Sequence, residues 1–321
     1  MSTQFEEPLF SSDKSESKTG VAGNESLPGL ADIELQQFKG VLDSYKSAMT
    51  VPDVFPSFGF ERKPPRDDRP HTGNTEASKE AAKNLYGDFK NPLEAIVPDA
   101  CVQPSGIGSC YFVAALASLA KTNPQKIQDM IRANDDGSYT VKFPGASYAV
   151  TVEKPTAAEI EQDGGPSKYG LWSLVAQKAY GKYYGGGKNT DLEGADGGSA
   201  FSAGVRILSE KGVPYAGIGY MLPAMSWKSM DQSLRDAVSP ANPKDALPVV
   251  AATSKALFSD STKDGFVRGH VYSVLGYEHN DGDIKQSKVT VRNPWGGADA
   301  VRTITLQQFY DNFIQLSIPK R

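Results

Sequence analysis

The order of textures along the chain constrains the fold most: a polar, proline-punctuated stretch comes first, then helical patterns, then strand patterns. From about Leu93 the apolar residues become dense and periodic. Tyr111-Phe112-Val113-Ala114-Ala115-Leu116-Ala117-Ser118-Leu119-Ala120 is rich in good helix formers and stops before Asn123-Pro124, where proline opens a second helix predicted over residues 125–133. Asp135-Asp136-Gly137 reads as a turn into a strand at 138–143, with a partner strand at 148–152. A third helix at 171–180 is expected to stop at Gly185-Gly186-Gly187, and a fourth at 200–211 to stop at Gly212 and Pro214. Strands follow at 247–252, 271–278, 288–292, 301–305 and 315–318, with one short helix at 306–312, where Thr305 and Gln308 have capping-box spacing. Helices first and strands afterwards predict an α+β protein of two packed lobes. A helical lobe is expected over 91–203 and a β-rich lobe over 204–321, with a cleft between them.

Residues 1–90 read differently. Ser, Lys, Glu and Gly dominate 11–26, a short helical pattern occupies 33–49, and Pro52, Pro56, Pro64, Pro65 and Pro70 follow. The expectation is a disordered leader, with a targeting segment, prosegment or docking site as its functional alternatives. The formal net charge of -4 belongs to it, because residues 1–32 carry six acidic and two basic side chains and the rest is balanced. A balanced body offers no electrostatic footprint for nucleic acid.

With 321 residues the chain can bury a real core, so small disulfide-stapled folds are excluded. Two cysteines, Cys101 and Cys110, and three scattered histidines supply neither a disulfide framework nor a four-ligand zinc site. No apolar run reaches the roughly 18 residues of a membrane span, and the N-terminus lacks a secretion-signal pattern. A soluble protein of a reducing, cytoplasmic compartment is expected. Its oligomeric state is not legible.

Cys110 lies where the loop Gln103-Pro104-Ser105-Gly106-Ile107-Gly108-Ser109 meets the start of an apolar helix. Unpaired N–H groups at a helix N-terminus lower a thiol pKa, so a nucleophilic thiolate would be built there. A buried small hydrophobe would leave the same trace. Of the histidines, His71 falls in the polar leader and His279 in a His-Asn-Asp-Gly turn, where an exposed ring is expected. His270 follows Arg268-Gly269 and opens a strand, so its ring is able to face a cleft, although a structural histidine fits as well. The strand ending at Arg292-Asn293-Pro294-Trp295 would place Asn293 at the sheet's end, where its carbonyl would fix the His270 tautomer and Trp295 would shield that bond. Asn-Pro is also a common turn starter.

Five blocks, in order, resemble the core of the calpain-type cysteine proteases. They are Gly108-Ser109-Cys110-Tyr111-Phe112 with the helix that follows, Asp136-Gly137-Ser138-Tyr139-Thr140-Val141-Lys142-Phe143, Leu171-Trp172-Ser173-Leu174 with Lys178-Ala179-Tyr180, Gly269-His270-Val271-Tyr272-Ser273-Val274, and Arg292-Asn293-Pro294-Trp295-Gly296. The resemblance covers roughly 95–318 and implies a papain-like two-lobe fold hydrolysing peptide bonds of protein substrates. It implies Cys110 as nucleophile, His270 as general acid and base, Asn293 as the residue that orients it, and Gln103 as oxyanion donor, with Trp295 and Gly269 beside the triad.

The chain departs from the family pattern in four places. Gln103 precedes Cys110 by seven residues instead of six, Tyr111 stands for the usual Trp, and Ser109 for the usual Asp. The long acidic loop after the Asn-Pro-Trp motif is missing, leaving Asp299 as the sole carboxylate before Asp311. Calcium needs several converging oxygen ligands. No cofactor is therefore expected, and calcium dependence is not. The pattern fits a stand-alone calpain-like protein, with delivery into another cell as an effector as one role for the leader. The alternatives are an inactive protease-like binding scaffold, and an acyltransferase or deamidase using the same triad.

Overall fold

The structure, a computed structural model, describes residues 84–163, 167–185, 191–196, 203–209, 220–254 and 260–321. Residues 1–83 of the expected leader lie outside them. Of the last seven of that expected span, Leu85, Tyr86 and Phe89 lie partly buried against the first hydrophobic core, and Phe89 stacks on Tyr169 with ring centroids 6.0 Å apart. The amides of Leu171 and Trp172 donate to carbonyls of Asn84 and Leu85. Composition placed the boundary at 90 because these apolar residues are spaced too irregularly to announce an element.

Helices α1 (Pro92–Ala95) and α2 (Cys110–Thr122) lead into α3 (Pro124–Met130), where Asn123 caps by accepting from the Lys126 amide at 3.1 Å. Every residue of α2 from Tyr111 to Ala120 is buried, as a helix apolar on all sides requires. Helix α3 stops three residues short of expectation, since Ile131–Ala133 forms strand β1. Asp136 accepts from the Ser138 amide at 3.0 Å and folds the chain back, so 131–133 pairs with β2 (Tyr139–Val141) in preference to continuing a marginal helix. Strand β3 (Val150–Val152) completes a three-stranded antiparallel sheet.

Helices α4 (Ala157–Asp163), α5 (Trp172–Gly185) and α6 (Ala203–Ile207) follow. Trp172 is fully buried, with Nε1 donating to the Ala95 carbonyl at 3.0 Å. Burial of such a side chain contributes about 2–3 kcal/mol. Then come β4 (Tyr220–Met221) and α7 (Trp227–Val238), in a region where the sequence suggested no helix. Its signals are visible in retrospect: Ser226 caps by accepting from Ser229 at 3.1 Å, and Met230, Leu234 and Ala237 repeat at helical spacing.

The remaining elements are β5 (Val249–Thr253), β6 (Val271–Glu278), β7 (Lys288–Arg292), β8 (Val301–Thr305), α8 (Leu306–Asn312) and β9 (Phe313–Ser317). They lie within a residue or two of expectation, and the Thr305/Gln308 capping box is formed. The six strands pair antiparallel in the order β4-β9-β5-β6-β7-β8. The mixed helix and antiparallel-sheet architecture is that of an α+β protein. Strand β5 is buried on both faces: Val250 and Ala252 enter the first core with α2 and α5, while Val249 and Ala251 enter a second core with Leu234, Phe309 and Phe313. Among the described residues, no helix is long and apolar enough to cross a membrane.

Candidate active site

The loop before Cys110 is held at every turn. The Gln103 amide donates to the Pro294 carbonyl at 2.8 Å, and Gln177 Nε2 to the Val102 carbonyl at 3.2 Å. Ser105 exchanges two bonds with Gln162, its amide donating to the Gln162 carbonyl at 3.0 Å and its carbonyl accepting from Gln162 Nε2 at 2.9 Å. The Gly108 amide donates to Asp196 Oδ1 at 2.7 Å. Within the loop, the Gln103 side-chain amide donates to the Ile107 carbonyl at 2.6 Å.

Cys110 opens α2 and is half-buried, and it is a free thiol, as is Cys101. Its sulfur lies against the backbone N–H groups of Val271, Tyr111 and Cys110 itself, which favour thiolate, yet burial outweighs them and pushes the thiol up to about 11. This corrects the expectation of a depressed thiol: the helix-terminal donors are in place, but the low-dielectric surroundings win. Cys101 is wholly buried and held up at about 12.

His270 is buried at the start of β6. Its amide donates to Thr253 Oγ1 at 3.1 Å and its carbonyl accepts from the Thr253 amide at 3.0 Å. The preceding Gly269 has φ +62, a left-handed value that lets the chain turn sharply into the strand. His270 Nε2 lies 2.9 Å from Asn293 Oδ1, which also accepts from the Trp295 amide at 3.0 Å. Because an amide N–H only donates, the Asn293 atom facing it is the oxygen, so His270 Nε2 carries the proton and Nδ1 the lone pair. Burial draws His270 down to about 4, against the pull of the Asn293 bond. The Trp295 ring covers the imidazole at 4.9 Å, and Tyr272 presents its edge at 5.2 Å.

The fold therefore joins His270, Asn293 and Trp295 directly, and brings the Cys110 sulfur to the residue after His270. Gln103 is tied to the Asn293 turn through Pro294. The sequence alone points to neither Thr253 nor Tyr272. Tyr272 was recoverable, since it is two residues beyond His270 on the same strand face. His279, expected in solvent, has Nδ1 2.6 Å from Asp231 and Nε2 3.1 Å from Asp281. His71 lies outside the described residues. Among the described residues, no three His, Cys, Asp or Glu side chains group to hold a metal ion.

Residues 94–301 match the family described as calpain family cysteine protease. Curated relatives include the calpain-type cysteine protease DEK1 of Zea mays, 26% identical over 200 residues, 59% of this chain and 8% of that protein. DEK1 of Arabidopsis thaliana is 26% identical over 238 residues, covering 71% of this chain and 10% of the relative. Calpain-8 of Mus musculus is 25% identical over 215 residues, covering 61% of this chain and 28% of the relative. The chain thus spans about a tenth of the plant proteins and about a quarter of the mouse one. The family match covers well over half of the chain, and the protein belongs to the calpain family of cysteine proteases.

Proposed function

We propose that the chain is a cysteine endopeptidase of papain-like two-lobed organisation, acting on protein substrates through Cys110, His270 and Asn293. The observation that carries this reading is the His270 Nε2–Asn293 Oδ1 bond, at 2.9 Å, which leaves Nδ1 as a base while the Cys110 sulfur sits beside Val271. His270 Nδ1 takes the thiol proton as Cys110 Sγ bonds to the scissile carbonyl carbon, and the Val271 N–H steadies the sulfur's charge during transfer. The tetrahedral oxyanion is met by the Cys110 N–H and by Gln103 Nε2, which leaves the Ile107 carbonyl to reach it. The C–N bond breaks as His270 protonates the amine. Water, deprotonated by His270, then attacks the acyl-enzyme, and the expelled thiolate regains its proton.

No calcium is required in this reading. The connection after Asn293 is a closed turn, with the Asn293 amide on the Ala300 carbonyl at 2.8 Å and the Ala300 amide on the Gly297 carbonyl at 3.2 Å. It carries one carboxylate, Asp299, too few for a hard cation.

Two observations favour a second reading, an inactive protease-like scaffold. The thiol is held protonated by burial and the Gln103 amide is engaged within its own loop. Incubation of wild type and Cys110→Ala with a proteome, followed by mapping of new N-termini, separates the two. Cleavages made by wild type and lost in the variant support the peptidase, and identical profiles support the scaffold.

A further inference from the structure

Nucleophile and base sit on different elements, Cys110 on α2 and His270 at the head of β6, so catalysis depends on how α2 is set along the sheet. Two serines bridge these elements. Ser273 Oγ, three residues beyond His270, donates to the Ala114 carbonyl at 2.8 Å, four residues beyond Cys110. One turn further along α2, Ser118 Oγ accepts from the Val249 amide of β5 at 2.8 Å and donates toward the Val274 carbonyl of β6 at 3.4 Å. Both residues have zero exposure, Ser118 among the apolar residues of α2 and Ser273 on β6.

Apolar packing alone is non-directional and tolerates a slide of an ångström along a face of small residues. A buried hydroxyl does not, because displacement leaves a donor or acceptor unsatisfied. The two ties meet α2 one helical turn apart, at Ala114 and Ser118: Ser273 reaches Ala114 from β6, and Ser118 bonds to both β5 and β6. Translation of α2 and rotation about its axis both break at least one bond.

We infer that Ser118 and Ser273 are positioning residues that lock the nucleophile helix and the histidine strand in catalytic register. The inference rests on the peptidase reading and deepens it. Misplacement of reacting groups by about 1 Å costs on the order of 10²-fold in rate. Loss of both hydroxyls is thus expected to lower kcat by about 10–100-fold with KM nearly constant.

The test compares wild type, Ser118→Ala, Ser273→Ala, the double variant, Ser273→Thr and His270→Ala. Ile304→Val, in the second core and remote from α2, controls for lost stability. Two readouts are taken: kcat and KM on a cleaved peptide, and the pH profile of iodoacetamide labelling at Cys110, followed by mass spectrometry to separate it from Cys101. The labelling needs no turnover. Expected are a kcat loss in the alanine variants, its recovery in Ser273→Thr, full kcat in Ile304→Val, and a labelling profile in the double variant that moves toward that of His270→Ala. Unchanged kcat and an unchanged profile in the double variant overturn the inference while wild-type cleavage leaves the peptidase reading standing. If wild type shows no Cys110-dependent cleavage, the peptidase reading falls, and the labelling profiles still decide whether the serines set the thiol against the imidazole. A wild-type profile identical to that of His270→Ala overturns the inference as well.

Discussion

The backbone amide of Gln103 donates to the carbonyl of Pro294 at 2.8 Å, so the segment that leads to Cys110 and the turn that carries Asn293 are one hydrogen-bonded unit. Arg292 adds a second tie, its wholly buried guanidinium lying 3.7 Å from Asp99 just upstream of Cys101. The imidazole is fixed against this unit from the side, by Asn293 and by the Trp295 ring.

Asn293→Ala removes the acceptor shared by His270 Nε2 and the Trp295 amide. Both tautomers of His270 then become accessible, and kcat is expected to drop on the order of 10²-fold with KM little changed. Steady-state peptide hydrolysis reads the rate. Nitrogen chemical shifts of the His270 ring read the tautomer, and a single unchanged tautomer would contradict the assignment.

The pH dependence follows from His270, drawn from its ordinary value near 6.5 to about 4 in the folded protein. The unfolded chain binds the proton more readily, so stability contributed by the neutral ring is complete above 6.5 and is lost as pH falls toward 4, by ~3 kcal/mol in all. Thermal melts from pH 7 to pH 4 should show a steeper decline for wild type than for His270→Gln. The acid limb of kcat/KM is expected well below 6.5, and a limb at the ordinary histidine value would refute it.

Gly204 in α6 packs so closely on α2 that a Cβ placed there would come within 2.3 Å of the Tyr111 carbonyl oxygen. Gly204→Ala must push apart α6 and Tyr111, the residue next to Cys110. A loss of about 1–3 kcal/mol in urea unfolding is expected, together with reduced activity at temperatures where the variant stays folded.

Asp231, buried in α7, accepts from Tyr277 Oη and holds His279 Nδ1 at 2.6 Å, tying α7 to the end of β6. Asp231→Ala strands both partners, and a cost of about 2–4 kcal/mol is expected. Because this cluster does not include Cys110 or His270, the loss should appear in the melting temperature with little change in kcat at low temperature.

Calcium chelation is expected to leave hydrolysis and melting temperature unchanged, given the closed turn between Asn293 and Val301. A calcium titration that switches on cleavage would overturn this.

Strands β6, β7 and β8 and helix α8 were legible residue by residue because alternation, capping and turn chemistry agree there. The pairing of His270 with Asn293 was also legible, since a strand that opens on histidine and a neighbour that ends at Asn-Pro place both at the same end of two paired strands. Three features were not. Ile131–Ala133 has no strand signal of its own and is recruited by the Asp136 turn. The fate of His279 depended on Asp231, 48 residues away. The Cys110 thiol depended on burial and on the Val271 N–H of β6, neither visible in sequence, as well as on the helix-terminal N–H groups, which are.

Strand β5 gives the molecule a party wall: Val249 and Ala251 furnish one room, Val250 and Ala252 the other. Neither half can melt while leaving its neighbour intact, because removing either set of contacts frees the backbone that supports the other. The described body should therefore denature in a single cooperative step, with tryptophan fluorescence and far-ultraviolet dichroism giving coincident curves, and a proteolytic nick in one half should release both.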